Sequence, residues 1–394
     1  MPLRPLTEVV GRQDPAYGRA LAHAEVVYDG LGLPRAAAAV TVQLAQGLAS
    51  VVGVGNFAEA RATNGAARVV DCGFAISPPV VNAHTHLDLS GMPHTPGSYA
   101  DFIAAVVAHA RAGHRGSAAA KRGVTELSAA GTRVVGDVVT DAATMEYLLG
   151  QAELTGVAYW EVFAPRPEDA DAAFEAALAA VARFRTLERP GGMRVGLSPH
   201  TPHTVSAPLL VKLAAYARAE RIPLAIHVAE SPAELELHLK GTGELAESLA
   251  RAGFGLAPTG VSPVRYLHDL GVLAASPAVI HAVQVDDDDA RLLARAGAVV
   301  VHCPRSNAAL ECGAFPWTLF AKHGVEVAFG TDSRGSSPDL DVTREVAAAL
   351  VAQGGKLNPR AAVRAAVKGG HKALGMAPPR VVRGAPAGEL VAWL

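Results

Sequence analysis

From Ser77 onward, short apolar runs alternate with alanine-rich stretches whose apolar residues recur at helical spacing. The apolar runs cover 78–84 (PPVVNAH), 132–139 (TRVVGDVV), 156–163 (GVAYWEVF), 193–200 (MRVGLSPH), 222–230 (IPLAIHVAE), 277–283 (PAVIHAV), 298–304 (AVVVHCP) and 325–333 (VEVAFGTDS). Helical patterns lie between them, as at 206–220 and 286–296, with Pro and Gly at the joints. A strand that is apolar at nearly every position is buried on both faces. Such strands interleaved with helices predict an α/β fold with a covered parallel sheet. Eight units over about 300 residues predict a (β/α)₈ TIM barrel.

Residues 1–76 break this rhythm. They read as short strands with glycine turns at Tyr28-Asp29-Gly30 and Gln46-Gly47, and the tail after Pro378 ends in an apolar strand over 389–394. The two ends together predict a small β-sandwich beside the barrel. The expected units are therefore 1–76 and 378–394 as its two parts, and 77–377 as the barrel. The sparsely charged stretch 36–55 carries Thr41, Gln43, Gln46, Ser50 and several glycines, which argues against a membrane span. With 394 residues, 50% hydrophobic and 18% charged, the chain can bury a large core. A net charge of -2 and no long basic run argue against nucleic acid or an anionic membrane as the main partner. Cys72, Cys303 and Cys312 form no CxxC pair, and 1–18 lacks the pattern of a secretion signal. A cytoplasmic protein with reduced thiols is expected.

The first barrel run ends in Asn82-Ala83-His84-Thr85-His86. Residues i and i+2 of a strand share a side, so His84 and His86 can both face the barrel axis as a pair of metal ligands. The pair alone is a weak signal. His227 falls in the fifth run, His281 in the sixth and Asp332 in the eighth. Catalytic groups of this fold gather at the C-terminal strand ends. Three histidines and an aspartate converging from the first, fifth and eighth strands predict a mononuclear hydrolytic metal site. His200, ending the fourth run, suits either substrate hydrogen bonding or support of the site. Asp137 and His302 read as supports of ligands rather than ligands. The acidic run 286–289 reads as a helix N-cap and first turn, because four consecutive carboxylates cannot converge on one ion. His94, His109 and His114 read as solvated or lid residues. Ser306 and Asn307 suit a pocket wall or a loop cap equally.

In order, HTHLD (84–88), SPH (198–200), HVAE (227–230), His281, HCPRSN (302–307) and GTDS (330–333) resemble the amidohydrolase superfamily. Within it they resemble the branch of nucleobase and nucleoside deaminases and chlorohydrolases. The resemblance spans essentially the whole chain and implies His84, His86, His227 and Asp332 as metal ligands. It also implies Glu230 as proton shuttle and His281 beside the activated water, with Asp332 taking the water's proton. No lysine stands in 193–200, where binuclear relatives carry a carbamylated one, so one divalent metal per chain is implied. Zn²⁺ comes first, and Fe²⁺ or Mn²⁺ also suit a His₃Asp set. The chain departs from the branch at Pro78-Pro79, where Pro-Gly is usual, and in a short C-terminal tail. Glu230 has a second reading, as a carboxylate at the N-terminus of the helix beginning at Ser231-Pro232.

The implied activity is hydrolytic deamination of a small molecule, an amino-substituted purine nucleoside. Arg305 and Arg334 would suit a carboxylate on a distal arm of that substrate, or form surface pairs instead. Aminodeoxyfutalosine, the benzoate-bearing adenine nucleoside of menaquinone biosynthesis, fits the first reading. Other adenosine-type nucleosides, guanine, cytosine, and amide or C–Cl substrates are the alternatives. A non-catalytic metal-binding barrel is a remote one. The sequence is compatible with a homo-oligomer.

Overall fold

The computed structural model describes residues 2–11, 18–45, 48–255 and 257–394. The apolar runs carry eight short strands: β1 (Val81–Thr85), β2 (Val134–Val139), β3 (Thr155–Val162), β4 (Met193–Pro199), β5 (Ala225–Val228), β6 (Ala278–His281), β7 (Val299–His302) and β8 (Glu326–Phe329). They form two parallel four-stranded sheets, in the orders β4-β3-β2-β1 and β5-β6-β7-β8. Two seams join the sheets. At one, Leu197 bridges Leu224 in parallel and its N–H donates to Pro223 O at 2.9 Å. At the other, Thr85 bridges Asp332, and the N–H groups of Thr331 and Asp332 donate to His84 O at 3.1 and 3.0 Å.

Side chains alternate between two apolar interiors. Along β2, Val134 and Val138 pack with Val157, Tyr159, Ile280 and Val301, whereas Val135 and Val139 pack into the larger cluster shared with the helices. Both faces of the strand are thus apolar, which is why the runs read as continuous. The strands stop short of the runs that predicted them. His86, Glu230 and Asp332 lie just beyond β1, β5 and β8, on the loops that follow. A rigid frame therefore holds the chemistry-bearing residues on short loops.

The two ends of the chain meet in one mixed seven-stranded sheet. Its order is Leu3–Pro5, Val391–Trp393, Ala75–Ser77, Gly18–Val27, Arg35–Ala45 and Leu48–Asn56, with Arg68–Asp71 also pairing with Gly18–Val27. It has its own apolar cluster, including Leu6, Val27, Val40, Ile76 and Leu390. Trp393 Nε1 donates to Ser77 Oγ at 3.0 Å and ties the last strand to the entry of the parallel sheets. The strand Ala75–Ser77 straddles the boundary expected at 76/77. At the turn over 28–30, Gly30 has φ 78° and Leu31 N–H donates to Asp29 Oδ1 at 2.8 Å. The turn expected at Gln46-Gly47 lies outside the described residues, between two strands that pair antiparallel.

The acidic run starts a helix, Asp287–Ala296. Asp286 caps it and Asp289 returns a bond to the cap backbone. The three cysteines are free and buried. Among the described residues no helix is long and apolar enough to cross a membrane.

Candidate active site

At the C-terminal ends of the strands, one donor atom each from His84, His86 and His227 lie within 4.8 Å of one another, as do those of His84, His281 and Asp332. Asp332 Oδ1 is 3.4 Å from His84 Nε2 and 3.6 Å from His86 Nε2. Its other oxygen is held, Oδ2 accepting from Ser306 Oγ at 2.7 Å and Ser336 Oγ at 3.0 Å. His227 Nδ1 donates to His200 O at 2.9 Å, which leaves Nε2 as a bare lone pair. His84 Nε2 is buried with no hydrogen-bond partner. A buried polar atom without a partner is costly, and a cation shared by these nitrogens and Asp332 Oδ1 would remove that cost. The donor set therefore fits a divalent metal. Burial first, and then neighbouring histidines, pull His86 and His227 well below the usual imidazole range, so both offer neutral rings.

The backbone here is strained to make this meeting possible. His281 and Asp332 have φ of 72° and 61°, and Ala229, between His227 and Glu230, has 54°. Each such non-glycine residue costs about 1–3 kcal/mol. Val283 N–H and Gln284 N–H hold the first turn by donating to Ala229 O at 2.9 and 2.8 Å. Gly330 is required for a different reason. A Cβ there would sit 2.7 Å from His84 Cβ and 2.9 Å from His84 N.

Glu230 and His281 stand beside this cluster, Glu230 Oε1 lying 3.6 Å from His281 Nε2. Asn307 Nδ2 donates to His281 Nδ1 at 3.0 Å, which puts the ring proton on Nε2, toward Glu230. Burial lowers His281 to about 4, so the ring is neutral. Burial, followed by the charges of Asp332 and Glu234, raises the Glu230 carboxyl well above the usual carboxylate range. The helix after β5, Pro232–Lys240, is capped by Ser231, whose Oγ accepts from Glu234 N–H. Glu230 is therefore not the cap, and its carboxyl lines the cavity.

That cavity encloses about 530 Å³, part of it open to solvent, and is walled on one side by Tyr99, Phe102, Ile103 and Val106 of the helix Tyr99–Arg111. His200 lines it, its Nδ1 2.8 Å from Thr204 Oγ1. Neither arginine expected at the mouth reaches it. Arg305 is bound by Asp339 (2.8 Å) and by Glu345 (2.6 Å), which is fully buried, so its guanidinium is already spent. Arg334 turns away to Glu126 (3.2 Å) and to the carbonyls of Ser337 and Pro338. Among the described residues the cation that lines the cavity is Arg115, whose Nε donates to buried Asp88 at 2.7 Å. Asn307 acts on His281 from behind rather than lining the cavity. Asp137 Oδ1 accepts from Thr85 Oγ1 and Leu87 N–H and so supports the HTHLD loop. His302 stacks on Phe315 at 3.7 Å between ring centres. His94, His109 and His114 lie outside the lining.

The family model of the amidohydrolase family matches residues 75–379. The chain belongs to the amidohydrolase family. This amidohydrolase is 47% identical over 331 residues, 82% of its length and 78% of the relative's, to the aminodeoxyfutalosine deaminase of Deinococcus radiodurans. Among solved structures it resembles Helicobacter pylori aminofutalosine deaminase in complex with methylthio-coformycin, with TM-score 0.74, 18% identity, and 94% and 90% of the two chains covered. It also resembles a zinc-bound adenosine deaminase from Xanthomonas campestris, with TM-score 0.64, 24% identity, and 95% and 84% covered. These two likenesses establish the fold.

Four contributors to the amidohydrolase site escaped the sequence reading. Glu161 lines the cavity near the end of β3. It is a lone carboxylate inside an apolar run, a signal that was available. Arg115 and Tyr99 come from the segment between β1 and β2, where no strand periodicity marks them. Cys312, 3.8 Å from Glu230 Oε1, arrives from a loop after β7 and carries no local motif.

Proposed function

We propose that this chain deaminates a purine nucleoside by metal-assisted hydrolysis and that its substrate is aminodeoxyfutalosine, a step of menaquinone biosynthesis. We read the two parallel sheets and their seams as a closed (β/α)₈ barrel over residues 77–377, and the terminal sheet as a β-sandwich from 1–76 and 378–394. The observation that carries the reaction class is Glu230, a buried carboxyl with a raised pKa beside a cluster of bare histidine nitrogens. Similarity to the Deinococcus radiodurans deaminase supports the substrate.

His84, His86, His227 and Asp332 would hold one ion, Zn²⁺ before Fe²⁺ or Mn²⁺. When bound, such an ion lowers the pKa of a water ligand toward about 7 and makes a nucleophile available at neutral pH. Asp332, its Oδ2 held by Ser306 and Ser336, accepts the water's proton. Glu230 protonates the ring nitrogen as the water oxygen adds to the amine-bearing carbon, because the aromatic ring resists addition otherwise. His281 Nε2–H donates to the oxygen as its charge develops. The proton held by Asp332 then passes to the amine, the C–N bond breaks with its electron pair leaving on ammonia, and the added hydroxyl returns a proton to Glu230 as the ring carbonyl forms. Tyr99, Phe102 and Val106 exclude bulk water, and Arg115 is the group placed to meet a carboxylate arm.

Ammonia release from aminodeoxyfutalosine, adenosine, guanine and cytosine tests the reading. The highest kcat/KM is expected for aminodeoxyfutalosine. Faster turnover of guanine or cytosine would overturn the substrate, and no ammonia from any of them would overturn the reaction.

A further inference from the structure

A second group of buried donors lies behind Glu230. Glu234 and His238 stand four residues apart on the helix Pro232–Lys240, so their side chains share a face. His203 reaches them from the loop after β4. One donor atom from each lies within 4.8 Å of the other two, the same closeness that gathers His84, His86 and His227. His238 is 0% exposed, Glu234 2% and His203 6%. His203 Nδ1, Glu234 Oε1 and His238 Nε2 are all buried with no hydrogen-bond partner. The separation of 3.9 Å between His203 Nδ1 and Glu234 Oε1 is too long for a hydrogen bond.

The protonation pattern sharpens the gap. Thr259 Oγ1 donates to His238 O (3.1 Å) or Val261 O (3.2 Å), so it presents a lone pair to His238 Nδ1 at 3.3 Å. His238 Nδ1 then carries the ring proton, and Nε2 is a bare lone pair. Glu234 Oε2 accepts from Glu230 N–H at 2.7 Å, which leaves Oε1 without a donor. A carboxylate oxygen and a bare imidazole nitrogen, both buried acceptors without a donor, call for a cation or a shared proton. Among the described residues no lysine or arginine is ion-paired with Glu234. Without one, burial raises Glu234 to about 7 and lowers His238 to about 4.

We propose that His203, Glu234 and His238 form a second divalent-metal site, distinct from the catalytic cluster, with a His₂Glu donor set suited to Zn²⁺. Its role is positioning. The ion fixes Glu234, and the other oxygen of Glu234 holds the backbone N–H of Glu230. The proposal does not rest on the substrate assigned above.

The test strips the full chain with a chelator, adds back Zn²⁺ alone, and counts ions per chain after desalting. The wild type is expected to hold two ions, His84→Ala/His86→Ala one, and His203→Ala/His238→Ala one. The His84/His86 variant should still gain thermal stability from Zn²⁺. A wild type that holds a single ion overturns the proposal, with a bridging water as the occupant instead. So does a His84/His86 variant that holds none, or a His203/His238 variant that keeps two. Should the His203/His238 variant fail to fold, the His84/His86 variant loaded with Co²⁺ decides the matter. Visible absorption bands of nitrogen-ligated Co²⁺ support the site, and their absence rules it out. A wild type with two ions whose count falls only in the His203/His238 variant would leave this site standing and unseat the catalytic ligand assignment.

Discussion

Glu230→Gln separates a proton shuttle from a structural carboxylate. The wild-type side chain is buried, and its raised pKa means the neutral acid is the form this environment favours. Glutamine is nearly isosteric with that acid and keeps an oxygen for the Cys312 thiol, 3.8 Å away. The backbone N–H bond to Glu234 is untouched by the change, and Ser231 still caps the helix. Nothing that holds the fold is lost, so stability should stay within about 1 kcal/mol of wild type. The ion count should be unchanged. What disappears is the transferable proton, and a positioned general acid–base is worth about 10²–10⁴ in rate. At 1.36 kcal/mol per decade, that raises the barrier by about 2.7–5.4 kcal/mol. The assay is kcat/KM for ammonia release, with ion content and Tm measured on the same preparation. A Glu230→Gln protein that keeps full activity would refute the mechanism. One that loses activity together with its metal would mean that Glu230 is a ligand.

Arg305→Met should leave KM for a carboxylate-bearing nucleoside unchanged and destabilise the fold by about 3–5 kcal/mol, because buried Glu345 loses its partner. Glu345 already sits at about 7, above its ordinary 4.5, so its folded form favours the proton. The stability it contributes is complete below pH 4.5 and lost as pH rises toward 7, and the deficit of Arg305→Met should therefore be smaller in a melt at pH 5 than at pH 8. Arg115→Met should raise KM for the carboxylate-bearing substrate by at least tenfold relative to adenosine, and equal effects on both would remove Arg115 from recognition. Gly330→Ala forces a methyl group against His84, and it should cost about 1–3 kcal/mol and lower metal occupancy, read by calorimetry and elemental analysis.

What the sequence made legible and what it hid divide along a physical line. The strands were readable because burial on both faces writes a continuous apolar run, and Val134 to Val139 carries that record residue by residue. His84, His86, His227 and Asp332 were readable as candidates because they lie within such runs or within two residues of their ends. Arg305 and Arg334 could not be placed from the sequence, which offered a substrate arm or protein partners equally, and the fold gives both to protein groups, Arg334 to Glu126 and to carbonyls only three and four residues on. Asp339 and Glu345 lie on a later loop and helix, and only the fold brings them to Arg305. Arg115 was hidden for the complementary reason, since it belongs to a connecting segment whose register no periodicity fixes.

The same division explains why the site geometry could not be foreseen in detail. His281 and Asp332 adopt left-handed backbone conformations that no local signal announces, since neither is glycine. The strain is tolerable because the surrounding seams over-determine it. Asp332 N–H is fixed to His84 O, and Asn307 fixes the His281 ring. Local preference is overruled where donors must converge on one point, which is also where function lies. The His203, Glu234 and His238 cluster behaves differently. Its residues sit in ordinary helix and loop conformations, and its anomaly is polar rather than conformational, with three buried donor atoms left without partners. An ion there would need no backbone strain to bind. That is the pattern of a site that holds a loop in place, not of one that must bend a substrate toward reaction.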